Sequence, residues 1–168
     1  VAPRDHAFPP AAGSTVVMTV RAMKPLDPAL HATGVGAITM EDLRWGRCDI
    51  KSVNLLPNVM AKQRAKEAGA FEAIFVRDGL VTEGAVSNVM VVRAGVLFTA
   101  PEGERILSGV TRTLVLDLAR KEGVPIRERA VTVEELHGAD ETFLSGTTVE
   151  ILAVVRVDGT VVGDGRPG

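Results

Sequence analysis

Lys51 stands between an expected strand and an expected helix start, with Ile50 and Val53 close on either side. A lysine partly withdrawn from water in such a place has a lowered pKa, and its neutral amine is available as nucleophile or base. A solvated surface lysine is the plainer reading of the same residues. Cys48, three residues earlier, reads as a small buried hydrophobe rather than a nucleophile. Glu83 ends a hairpin strand in Val81-Thr82-Glu83-Gly84, with Ser87-Asn88 following. Turn glutamates usually face solvent, so Glu83 gains a special role only where something cationic, such as a protonated ring nitrogen, is held against it. Ser108-Gly109-Val110-Thr111 opens an expected helix, and Gly146-Thr147-Thr148 follows an expected strand. Both combine small residues, hydroxyls and free backbone N–H groups that suit a phosphate, and both also read as an ordinary N-cap and an ordinary turn. Arg4 and His6, two apart in a proline-rich loop, share a side in extended geometry and suit a carboxylate, although surface decoration explains them as well. His31 and His137 have no partners at ligand spacing and read as structural, so no metal is expected.

The elements that must position these groups follow from pattern. Val1 to Pro10 reads as a loop, Thr15 to Met23 as a strand, and Lys24-Pro25-Leu26-Asp27-Pro28 as a link, since its prolines remove donors and hold their predecessors extended. Residues 1–23 are thus expected to be the last loop and strand of another domain, 24–30 the link, and 31–168 the main domain. Gly34 to Asp49 reads as strand and turn, and Leu55 to Ala68 as a helix closed by Gly69. Asp78-Gly79, Ala94-Gly95 and Asp158-Gly159 each lie between apolar runs and predict three β-hairpins. Thr111 to Glu122 carries helical spacing and ends at Gly123-Val124-Pro125. The sum is an α/β (α+β) arrangement with local antiparallel pairs, not the strict βαβ alternation of a dinucleotide fold. Gly163-Asp164-Gly165-Arg166-Pro167-Gly168 spells GxGxxG, but no helix follows it, so it reads as a turn.

Composition narrows the function. A chain of 168 residues that is 46% hydrophobic can bury a core, which excludes intrinsic disorder. The net charge of −2 leaves no excess of cations to hold a nucleic acid by counterion release. One cysteine excludes an internal disulfide framework and a cysteine-based zinc cluster. No apolar run approaches the roughly 20 residues of a spanning helix, and Val1 to Pro10 lacks a signal peptide's apolar region, so a soluble cytoplasmic protein is expected. The chain starts without methionine and stops in a turn-forming string, and both ends read as cuts.

Taken in order, Glu41-Asp42-Leu43-Arg44-Trp45 through Arg47-Cys48-Asp49-Ile50-Lys51-Ser52, Asn54-Leu55-Leu56-Pro57-Asn58, Val81-Thr82-Glu83-Gly84, Ser108-Gly109-Val110-Thr111-Arg112 and Ser145-Gly146-Thr147-Thr148-Val149-Glu150 resemble the fold-type IV pyridoxal-phosphate enzymes. Pro3-Arg4-Asp5-His6 resembles the element of their D-amino-acid aminotransferase branch. The resemblance covers essentially the whole chain. It implies a C-terminal pseudo-barrel domain preceded by a remnant of the small N-terminal domain, and transamination from a D-amino acid such as D-alanine to a 2-oxo acid by a ping-pong route. By the same resemblance, Lys51 would form the internal Schiff base with pyridoxal 5′-phosphate and shuttle the substrate proton. Glu83 would keep the pyridine nitrogen protonated, and Gly109, Val110, Thr111 and Thr147 would hold the phosphate. Leu107 would pack on the ring, Arg4 and His6 would bind the substrate carboxylate, and Arg44 would stand in support. The partners implied are small-molecule substrates and a second copy in a homodimer. Branched-chain L-aminotransfer, aminodeoxychorismate lysis on the same scaffold, or an inactive fragment are the alternatives. The chain departs from the family in having no tyrosine, most of the N-terminal domain absent, and Val86 and Gly146 where hydroxyl side chains are common.

Overall fold

The computed structural model describes residues 6–8, 11, 13–23 and 25–168. A short helix α1 (Pro28–Thr33) leads into strand β1 (Val35–Glu41), helix α2 (Leu56–Glu67), and the hairpins β2 (Glu72–Arg77)–β3 (Leu80–Gly84) and β4 (Asn88–Arg93)–β5 (Val96–Thr99). Helix α3 (Val110–Lys121), strand β6 (Ile126–Glu128) and helix α4 (Val133–His137) follow, then β7 (Glu141–Gly146), β8 (Glu150–Val157) and β9 (Thr160–Val161). All three expected hairpins form. Each two-residue loop has both positions at positive φ: 54° and 74° at Asp78-Gly79, 48° and 73° at Ala94-Gly95, 48° and 81° at Asp158-Gly159. That loop geometry matches the right-handed twist of the strands it joins.

The strands lie in the order β3-β2-β1-β8-β7-β4-β5-β6, with β9 paired to β8, and β1 runs parallel to both β2 and β8. Connectivity forces this sheet to curl. On the strand path β3 and β4 are five spacings apart, about 24 Å if the sheet were flat. Residues 85–87, which join them, reach only about 14 Å. The curl brings β3 back against β4 and makes a mixed half-barrel, in agreement with the α/β expectation.

Both faces of the sheet are covered, which explains why its strands read as nearly continuous apolar runs. Ile74, Val89, Val91, Leu144, Leu152 and Val154 fill the enclosed face together with Leu136 of α4. Alternate residues point outward: Ala73 and Phe75 meet Ala61 and Ala65 of α2, and Met90 and Leu97 meet Val115 and Leu116 of α3.

Three local expectations change. Residues 15–23 form no strand and are exposed, because no other segment among the described residues supplies their ladder hydrogen bonds. Within the expected link, Asp27 accepts a hydrogen bond from Ala29 N at 3.0 Å and caps α1, whose first residue, Pro28, has a φ already suited to a helix. The short α4 went unread, although Thr132 and Glu135 spell its capping box. Gly163 to Arg166 form turns and bends, in agreement with the turn reading.

Candidate active site

Where the curl closes, β3 delivers Glu83 and β4 delivers Asn88 to the same place. Glu83 is 5% exposed, against the expectation for a turn glutamate, and the cation held against it is Arg44. Nη1 of Arg44 donates to Oε1 of Glu83, and Oε2 accepts from Leu107 N and from Nδ2 of Asn88, each at 3.1 Å. Arg44 in turn is gripped by Asp42, which accepts from its Nε and Nη2 at 2.8 Å each, and its guanidinium lies 4.6 Å over the Phe75 ring. Arg77 adds a second cation 3.1 Å from Asp42.

Burial acts on these two carboxylates alike, but their partners differ. Burial opposes ionisation of Asp42, yet the hydrogen bonds and charge of Arg44, with Arg77 behind them, outweigh it and hold Asp42 below the usual carboxylate range. At Glu83 burial outweighs Arg44 and the Leu107 N–H and pushes the carboxyl up. A group so placed holds a proton more readily than a free carboxylate and favours a protonated partner that shares its charge.

Above Glu83 opens a cleft of about 350 Å³. Lys51, Glu83, Leu107, Gly109, Val110, Thr111 and Thr147 all line it, although they come from four separate segments. Lys51 itself is exposed, so the solvated reading describes it in this chain. Gly109 is the N-cap of α3 and provides no side-chain bond, leaving the first-turn N–H groups without a side-chain cap. A Cβ at Gly109 would collide with Oδ1 of Asn88, so a larger residue where α3 meets β4 would have to displace the Asn88 side chain. Asn88 and Ser145 are direct cross-strand partners and therefore share a face. Ser145 Oγ is buried at the cleft without a hydrogen-bond partner among the described residues.

Of the remaining expected residues, Arg4 lies outside the described residues, and His6 is exposed and is not among the residues lining the cleft. Cys48 is buried, its Sγ donates to Trp45 O at 3.4 Å, and burial pushes the thiol up, as a packing role requires. His137 meets Asp158 at 3.3 Å, away from the cleft. Asp42, Asn88 and Ser145 stood inside quoted motifs without a role. Asp42 was the most legible, since an aspartate side chain can accept from the backbone two residues on, as it does here from Arg44 N at 3.1 Å.

A curled mixed sheet with this cleft at its closure is what the chain builds, and the sequence model of the amino-transferase class IV family matches residues 2–157. The chain belongs to that family. It is 49% identical over 168 residues to a D-alanine aminotransferase of Bacillus licheniformis, covering 99% of this chain and 59% of the relative. It is 43% identical to a D-alanine aminotransferase of Listeria innocua, with 99% and 58% covered. Among solved structures, a branched-chain amino acid aminotransferase of Escherichia coli superposes with a TM-score of 0.75 at 34% identity, over 85% of this chain and 49% of that one. The chain thus spans less than two thirds of the length of these relatives.

Proposed function

We propose that this chain is the cofactor-binding part of a pyridoxal-phosphate-dependent aminotransferase acting on D-amino acids, D-alanine among them, with a 2-oxo acid as acceptor. The gathering of Lys51, Glu83 and the α3 N-terminus around one cleft carries the reading. The cofactor fits the residues present. Val110 and Thr111, with first-turn N–H groups unserved by a side-chain cap, and Thr147 across the cleft would hold its phosphate, beside Gly109. Leu107 would pack on the ring, and the partnerless Ser145 Oγ offers a further donor. When bound, pyridoxal phosphate supplies an electron-poor ring that stabilises negative charge developing at the substrate Cα.

The chain's own groups do the rest. Glu83, buried and with both oxygens fixed, holds a proton on the ring-nitrogen side of the site, and Arg44 keeps its carboxylate from turning away. Lys51 Nζ, at the cleft wall and acting as the neutral amine, takes the proton from the substrate Cα and keeps it for return. Arg4 and His6 bind the substrate carboxylate and help select the enantiomer. The reading includes a homodimer with sites near the subunit boundary. Residues 31–168 form the cofactor-binding domain, 24–30 the link and 1–23 the end of a smaller domain. A soluble, cytoplasmic setting suits these substrates, and among the described residues no helix is long and apolar enough to cross a membrane.

The test is borohydride reduction after addition of pyridoxal phosphate, with mass mapping of the labelled peptide. A reduced adduct on Lys51 that Lys51→Ala abolishes is expected. Labelling elsewhere, or none, overturns the assignment. D-alanine with 2-oxoglutarate should then yield pyruvate. Turnover of L-leucine with none of D-alanine would transfer the chain to the branched-chain reading, which the Escherichia coli likeness favours.

A further inference from the structure

Glu72 opens β2 and is fully buried, 0% exposed, yet it is not among the residues lining the cleft and the proposed reaction does not use it. A carboxylate is withdrawn from water at high cost unless its oxygens are served. Oε1 accepts from Ala73 N at 3.0 Å and lies 3.3 Å from Nζ of Lys62, on α2. Oε2 accepts from Ser87 Oγ at 3.0 Å. Ser87 belongs to the three-residue link that closes the curl, and its carbonyl accepts from Gly84 N at 2.7 Å. A Cβ on Gly84 would strike Ser87 Oγ and crowd Cγ of Glu72 at 3.3 Å, so the link is pressed onto this carboxylate with no room to spare. Glu83 stands one residue before the link, across Gly84, and Asn88 immediately follows it, and the two are bonded to each other.

We propose that Glu72 is a positioning residue: through Ser87 it anchors the 85–87 link and so fixes Glu83 and Asn88 at the floor of the cleft. The inference rests on the functional reading for what Glu83 meets there, and on geometry alone for how Glu83 is held. Lys62 completes the device by pairing with Glu72, and it spans from α2 to Phe71 O, just before β2, at 2.5 Å.

The test follows the Glu83 side-chain carboxyl by carbon NMR through a pH titration of the cofactor-free chain, with thermal melts to establish folding. Cutting the anchor in Glu72→Ala or Ser87→Ala lets water reach Glu83, and its titration midpoint falls toward the usual carboxylate range. In Glu72→Gln the amide replaces the carboxylate and the Ser87 hydroxyl reverses to accept from it, so the midpoint stays where it was. Affinity for pyridoxal phosphate falls about tenfold in the two alanine variants and little in Glu72→Gln. An unchanged Glu83 midpoint in a folded alanine variant overturns the proposal, as does a shift in Glu72→Gln as large as in Glu72→Ala, which would make the effect one of charge alone. If Glu72→Ala fails to fold, Ser87→Ala decides. Labelling of Lys51 in the unsubstituted chain judges the cofactor reading separately: absent labelling with the expected Glu83 shift leaves the anchor standing and removes its proposed purpose.

Discussion

At Glu83 the carboxylate and its neighbours act as one unit. Arg44 binds Glu83 and Asp42 together, with its side chain 7% exposed and that of Asp42 at 0%. Such a set contributes little if both charges are exchanged for apolar groups, but losing the shared cation leaves two buried carboxylates uncompensated. Arg44→Met is therefore expected to cost about 3–5 kcal/mol of stability at pH 7, measured by urea denaturation. It should also raise the Glu83 titration further, because burial then acts without its principal opponent. A loss under ~1 kcal/mol would mean that Arg77 and Thr82 suffice for Asp42 and that Arg44 serves Glu83 alone.

The elements owe their places to short local signals and to packing in different proportions. Helix α2 is held by two small residues a turn apart, Ala61 and Ala65, which let it lie close on β2. Helix α4 is held by its cap. Thr132 Oγ1 accepts from Glu135 N at 3.1 Å, Glu135 accepts from Thr132 N at 3.0 Å, and Arg129 grips the same carboxylate at 2.7 and 2.8 Å. The Arg129 hydrogen bonds and the Thr132 N–H lower the Glu135 pKa to about 2. A native pKa below the unfolded value stabilises the fold above about pH 4.5, and the contribution disappears as pH falls toward 2. Glu135→Gln should thus lower stability at pH 7 by less than about 1 kcal/mol, since the pair is partly solvated. The difference from the parent chain should close between pH 4.5 and 2 in stepped denaturation curves. A gap that persists at pH 2 would assign the effect to packing rather than charge.

For the whole molecule, the curl of the sheet and the exposed face of α2 have the widest consequences. Leu56, Val59 and Met60 are 58–68% exposed on that helix, and Val53 and Val86 extend the apolar surface. A patch of this kind seeks cover, and covering it is the expectation for the proposed homodimer. Sedimentation equilibrium should give a mass above the 17.8 kDa of one chain, and Val59→Lys with Met60→Lys should return it to a monomer. A parent chain that is monomeric at all concentrations would remove the homodimer from the reading. The hairpin turns and the two long helices were legible in the sequence because each rests on local chemistry: Asp-Gly or Ala-Gly loops between apolar runs, the closing Gly69 of α2 and the helical spacing of α3. The cleft residues were legible only through short motifs that resemble a family, since each residue by itself also read as an ordinary surface, cap or turn position. The sequence did not determine that residues 15–23 would lack strand pairing, since a strand is defined by its partner. Nor did it determine that Glu83 would be buried, or that Arg44, Asp42 and Glu72 would fix it in place. Those depend on the closure of β3 against β4, a contact between strands at separate points of the sheet. Only the tertiary structure decides it, because a carboxylate's environment is set by whatever distant segments exclude water from it.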